Sequence, residues 1–246
     1  MIHISLKAEQ VFHLGNFGVT NTLLLGTATV LFLILLSILL KRQLAFIPGK
    51  AQNIAEVAIE GILGIMDSVL ITREKSERYL PLVATIFIFI LFSNWLGLLP
   101  GVGSLGIKSG NEFIPLLRSP ASDLNFTLAL AIVSVFTINA LGIVAVGFKR
   151  HLSKFFNFQT PIKFFIGLLE FISEFARIIS FSFRLFGNVF AGEVLLVIIV
   201  FLVPYVVPLP FLFMEVFVGF IQAFIFAMLT LVFVAIATLE IEAGGH

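Results

Sequence analysis

The 246-residue chain has no cysteine, one tryptophan, two tyrosines and few charges: aspartate, glutamate, lysine and arginine together make up 12%. Without cysteine there are no disulfides, no thiol catalysis and no cysteine-ligated zinc or iron–sulfur centre. Charge this sparse, about half the usual roughly 25%, cannot cover the surface of a soluble domain. A soluble enzyme is therefore excluded. The formal net charge of +1 also excludes a nucleic-acid partner, which demands a clustered basic surface. No phosphate-binding glycine loop, zinc-protease or hydrolase motif is present, so hydrolysis of a nucleotide by this chain is not expected. No cofactor or metal site is expected either: His3, His13, His151 and His246 all read as tail or loop residues. The first 22 residues have no basic leader, so no cleavable signal peptide is expected.

What is abundant is apolar. Hydrophobic residues reach 59%, phenylalanine alone numbers 30, and the mean hydropathy is +1.13. These numbers describe an all-α polytopic membrane protein forming a single membrane domain over 1–246. Five stretches meet the need for about 20 apolar residues: 23–40, 80–99, 124–148, 164–203 and 211–239. Pro204, Pro208 and Pro210 separate the last two. The fourth, at about 1.5 Å per residue, is about 60 Å long, twice the roughly 30 Å hydrocarbon core. The last two stretches are therefore expected to form a strongly inclined helical hairpin.

Ten basic residues (Lys41, Arg42, Lys50, Arg73, Lys75, Arg78, Lys149, Arg150, Lys154 and Lys163) fall on one side of these spans, against Lys7, Lys108 and Arg118 on the other. The excess orients the N-terminus outside and the C-terminus inside. Over 51–70, Ile54, Val57, Ala58, Ile62, Ile65, Met66 and Val69 recur at helical spacing opposite Glu56, Glu60 and Asp67, which predicts an interfacial amphipathic helix. Trp95, followed by Gly97-Leu98-Leu99-Pro100, reads as an interfacial anchor and helix stop.

The charges at membrane depth carry the functional signal, because an arginine at a helix centre costs about 2.5–3.5 kcal/mol on insertion scales. Glu170, Glu174, Arg177, Arg184 and Glu193 lie in the fourth stretch and Glu215 in the fifth. Ser173, Arg177, Ser180, Arg184, Gly187 and Ala191 follow alternating steps of four and three, with Glu170 one step earlier. They predict one narrow, positive stripe suited to meeting another protein's carboxylate. Packing through small residues explains serine, glycine and alanine but not two arginines. Glu193 falls on the face opposite Arg184. With Arg184 level with Gln222 in an antiparallel hairpin, Glu193 and Glu215 come to similar depths. Asp123 reads as the N-cap of the third span or as a channel acid, and Glu174 as a local partner for Arg177.

At these residues the sequence resembles subunit a of the F-type ATP synthase (the ATPase subunit 6 family). The resemblance rests on Phe183-Arg184-Leu185-Phe186-Gly187-Asn188 running on to Ala191-Gly192-Glu193, and on Ile221-Gln222-Ala223-Phe224-Ile225-Phe226. Weaker support comes from Asn94-Trp95-Leu96-Gly97-Leu98-Leu99-Pro100 and from Ser119-Pro120-Ala121-Ser122-Asp123-Leu124-Asn125. The resemblance implies a proton-translocating stator subunit of the bacterial plasma (inner) membrane, with no enzymatic activity on its own. Its implied partners are a ring of c subunits, peripheral-stalk b-type subunits and the lipid bilayer. It implies that Arg184 faces the ring carboxylate and that Glu193, Asn188 and Gln222 border the proton route; their depth along the two helices adds Glu215 and Glu170 as candidates. Asp123, Arg177, Ser173 and Ser180 are accessory candidates. Two other classes fit the composition: a self-contained secondary transporter, which calls for paired halves not apparent here, and a structural scaffold with internal ion pairs.

Overall fold

The computed structural model describes residues 8–15, 17–99, 102, 106–109, 112–155, 160–203 and 205–239. Pro100, Pro204, Lys7, His3 and His246 lie outside the described residues. A short hairpin, β1 (Gln10–Leu14) and β2 (Phe17–Thr20), leads into α1 (Asn21–Arg42). Then follow α2 (Lys50–Leu70), α3 (Arg73–Gly97) and a second hairpin, β3 (Gly106–Ser109) and β4 (Glu112–Pro115). A 3₁₀ turn at Pro120–Ser122 precedes α4 (Leu124–Val146), α5 (Phe148–Phe155), α6 (Pro161–Leu202) and α7 (Pro208–Leu239). Five helices, α1, α3, α4, α6 and α7, are long and apolar enough to cross a membrane. The protein is an all-α polytopic membrane protein carrying two small hairpins that hydropathy does not reveal.

Local chemistry sets the helix ends. The Thr20 hydroxyl accepts from the Leu23 amide at the start of α1, and Lys41 and Arg42 complement the dipole at its end. The Asp123 carboxylate caps α4 through the Asn125 amide at 2.9 Å and also accepts from the Thr22 hydroxyl at 3.0 Å, tying α1 to α4. Gly147, at φ 89°, stops α4 two residues before the expected boundary, and α5 begins immediately after it. Pro161 and Thr160 start α6, and Pro208 opens α7.

On α2 the buried side chains are Leu63, Met66 and Leu70, whereas Ile54 and Val57 are exposed. The expected apolar face is thus split, its C-terminal half packing inward beside Ile62 and Val69. Arg73 fastens the α2–α3 corner through Glu60 (2.9 Å), Asp67 (3.0 Å) and Glu77 (3.2 Å). The neighbouring Ser76 hydroxyl and the Arg73 guanidinium together hold the Asp67 carboxyl below the usual range.

The core lies where α3, α4, α6 and α7 meet: Val83, Ile90, Ala131, Ile138, Phe181, Leu185, Phe226 and Leu231 are all buried. Ala223, Ala227 and Ala235 let α7 approach its neighbours closely, as small residues do between membrane helices. Most of α6, by contrast, is exposed: only 11% of its most apolar window is buried within the subunit. A 42-residue helix this bare needs lipid or a partner along its length.

Candidate functional site

Two contacts fix the register between α6 and α7. The Asn188 side-chain amide donates to Oε1 of Gln222 at 2.6 Å, and the Phe181 and Phe226 rings lie 4.7 Å apart. Gln222 is therefore bonded to Asn188, one helical turn beyond Arg184 on α6. A third contact belongs to the same register. A β-carbon at Gly192 would overlap the Glu215 carboxylate, so only glycine leaves that carboxylate its place. Glu193 and Glu215 consequently line one cavity of about 740 Å³ between α3, α6, α7 and the segment before the 3₁₀ turn.

Asn94, Arg118 and Ser119 add polar groups to that wall. Arg118 is 7% exposed; its Nε donates to both Glu193 oxygens, at 3.0 and 3.2 Å, and its guanidinium sits 5.9 Å from the Phe190 ring centroid. Hydropathy counting treats Arg118 as one outer cation and misses this role. The available signal was its position, a lone arginine between Leu116-Leu117 and Ser119-Pro120 beside a span. Asn94 donates to the Gly219 carbonyl at 3.1 Å, and Trp95 Nε1 to the Val216 carbonyl at 3.0 Å, so both bind α7. Buried Asn94 Oδ1, Ser119 Oγ and Gln222 Nε2 have no hydrogen-bond partner in the protein. Asn94 and Ser119, left this way on the cavity wall, make it suited to water.

Arg184 is exposed, held loosely by a 3.3 Å hydrogen bond to Ser180 Oγ. Ser173, Ser180 and Ala191 are exposed on the same stripe, and a β-carbon at Gly187 would meet nothing within 4 Å. Arg177 departs from it. Its guanidinium turns inward, 2.7 Å from Glu174 and 3.8 Å over the Phe233 ring, leaving the side chain 14% exposed. The expected Glu174–Arg177 pair forms; the expected second charge on the stripe does not. Asp123 is occupied by its cap and by Thr22.

At the other end of α6 a small polar recess of about 30 Å³ is lined by Asn139, His151, Lys154, Glu170, Glu174 and Arg177. Glu170 itself is exposed. The loop assignment of His151 is corrected here: it lies in α5, 5% exposed, because Gly142 leaves room for its ring against α4. The described residues contain no group of histidine and acidic side chains able to hold a metal ion.

The fold and this arrangement define a multi-pass helical membrane subunit, with exposed Arg184 on its longest apolar helix between two polar recesses. Residues 22–235 match the family model described as the ATP synthase A chain. The sequence is 36% identical over 219 residues to ATP synthase subunit a of Campylobacter jejuni, covering 88% of each chain. It is 33% identical over 236 residues to that of Moorella thermoacetica, covering 96% and 97%. For Helicobacter pylori the identity is 34% over 247 residues, covering 97% and 99%. The chain belongs to the ATP synthase subunit a family.

Proposed function

We propose that this chain is the proton-translocating stator of a rotary F-type ATP synthase, with two offset half-channels working against a c-ring and a b-type stalk holding it still. One observation carries the reading: Arg184 is exposed on α6 between a polar cavity at one end and a polar recess at the other. Glu193 lies nine residues beyond it, about 13 Å along the axis, and Glu170 fourteen before it, about 21 Å. Acids on both sides of a permanent cation fit two half-paths better than one pore.

Protons enter from outside through the large cavity, exchange at Glu215 and Glu193, and load a ring carboxylate near Asn188 and Gln222. Once protonated the carboxylate is neutral, so its passage through lipid no longer carries the cost of a buried charge. On returning it meets Arg184, which cannot deprotonate and so favours the ionised form. The proton leaves toward Glu170 and the inside, past Ser180 and Ser173. Arg184 blocks direct exchange between the two paths. The lengths of α6 and α7, 42 and 32 residues, exceed the roughly 30 Å core and support an inclined hairpin that keeps this stripe along the ring.

The test is Arg184→Lys and Arg184→Ala in the whole complex. Both variants should assemble. The lysine variant should lose ion-driven ATP synthesis, and the alanine variant should also leak protons passively. Near-normal synthesis by the alanine variant overturns the reading, and loss of assembly in both favours the scaffold.

A further inference from the structure

Arg177 precedes Arg184 by seven residues, two turns along the same face of α6, yet only Arg184 is exposed. What holds Arg177 in is a chain of contacts from three helices. Its guanidinium donates to Glu174 Oε1 at 2.7 Å and lies over Phe233 of α7. The other carboxylate oxygen, Oε2, accepts from the Asn139 side-chain amide of α4 at 3.2 Å. That amide also donates to the Val135 carbonyl at 2.9 Å, which fixes which way Asn139 points. Its Oδ1 therefore faces His151 Nε2 at 3.1 Å, and the imidazole must donate there. His151 Nδ1 is then buried with no partner, which makes the neutral ring the one that fits.

Gly142 is part of the same device. A β-carbon there would come within 2.9 Å of the His151 ring, and a glycine inside α4 otherwise weakens the helix. The helix gives up a better residue where the imidazole docks.

We infer that His151, Asn139 and Glu174 form a clasp that keeps the charge of Arg177 inside the subunit, so that Arg184 stands as the single cation on the exposed stripe. These are positioning residues, acting through Arg177. The inference rests on the reading of that stripe as rotor-facing. A ring carboxylate that gives up its proton on the Glu170 side then has only neutral serines between it and Arg184. A second arginine two turns away would attract the same ionised carboxylate and hold it short of Arg184.

The experiment uses whole ATP synthase in native membrane vesicles, measuring ion-driven ATP synthesis and ATP-driven proton pumping. Glu174→Gln frees Arg177 and should lower both rates by up to about fifteenfold, the scale of unit charges about 10 Å apart near a protein surface. Arg177→Gln alone should run near the wild-type rate, and Glu174→Gln combined with Arg177→Gln should return to it. Asn139→Ala loosens Glu174 without changing charge and provides a second route, with the same recovery expected on adding Arg177→Gln. The recovery is the decisive readout, because a merely structural role for Glu174 predicts that losing both partners is no better than losing one. If Arg177→Gln rescues neither single variant, whether they fail in conduction or in assembly, the clasp is refuted. An Arg184→Ala variant in the same series separates the two ideas: if it retains synthesis, the rotor-facing reading itself fails.

Discussion

Removing Arg118 tests the large cavity most directly. Arg118 is almost fully buried and Glu193 is its ion-pair partner at 3.0 Å, with the Glu193 side chain 35% exposed. Unit charges about 4 Å apart attract by about 4 kcal/mol at an effective dielectric near 20. The partial exposure of Glu193 screens the pair, so a coupling of about 1–2 kcal/mol is expected. Converted at 1.4 kcal/mol per factor of ten, this is roughly a 5–30-fold departure from additivity. The assay is a double-mutant cycle of Arg118→Gln, Glu193→Gln and both, read as passive proton flux in assembled complexes. Glu193→Gln should be the harsher single change, since it leaves a buried guanidinium facing a neutral amide. Adding Arg118→Gln should then cost little more, or recover part of the loss. If the double variant's loss equals the product of the singles, with a coupling below about 0.5 kcal/mol, the two residues do not act together in proton entry.

Gly187 and Gly192 should respond oppositely to assembly. Gly192→Ala displaces the Glu215 carboxylate, the movable end of its side chain, and should reduce passive proton flux in complexes that still assemble. Gly187→Leu meets open space in the subunit, so its Tm should hold while ring association weakens; unchanged association means that the ring does not approach this face. A pH effect is expected at α5. Burial pushes the His151 imidazole below the ordinary histidine value, with Lys154 adding to the shift and Glu174 opposing it. From α6, Glu170 and Arg177 also line its recess, whereas α4 presents Asn139 and Gly142, and α7 presents Ile236 and Ala237. The docked ring binds fewer protons than a free one, so docking is complete above the ordinary histidine value and is lost as pH falls below it. Hydrogen exchange in α5 of the intact complex should therefore rise, beyond the intrinsic change, between about pH 7.5 and about pH 5.5. His151→Gln should abolish that rise, and an identical rise in that variant refutes the role of the imidazole.

The membrane class, five helices long enough to span and the arginine motif were legible in the residues themselves. Hydropathy over about 20 positions is a local sum, and a lone arginine in such a run carries its cost wherever the helix packs. Helical spacing likewise puts Ser180, Arg184, Gly187 and Ala191 on one face, as observed. Spacing names a face for the backbone, not a direction for a long side chain. Arg177 shares that face and yet turns away, because Glu174 and Phe233, the latter 56 residues on, offer it a seat. Arg118 and Glu193 are 75 residues apart, and His151 is buried because Gly142 on another helix makes room for it. The bond from Asn188 to Gln222 depended on which side chains interlock between α6 and α7. Composition and periodicity report how each segment meets its solvent. Which polar group meets which was decided only when the helices packed, since a buried charge settles wherever the assembled fold supplies its partner.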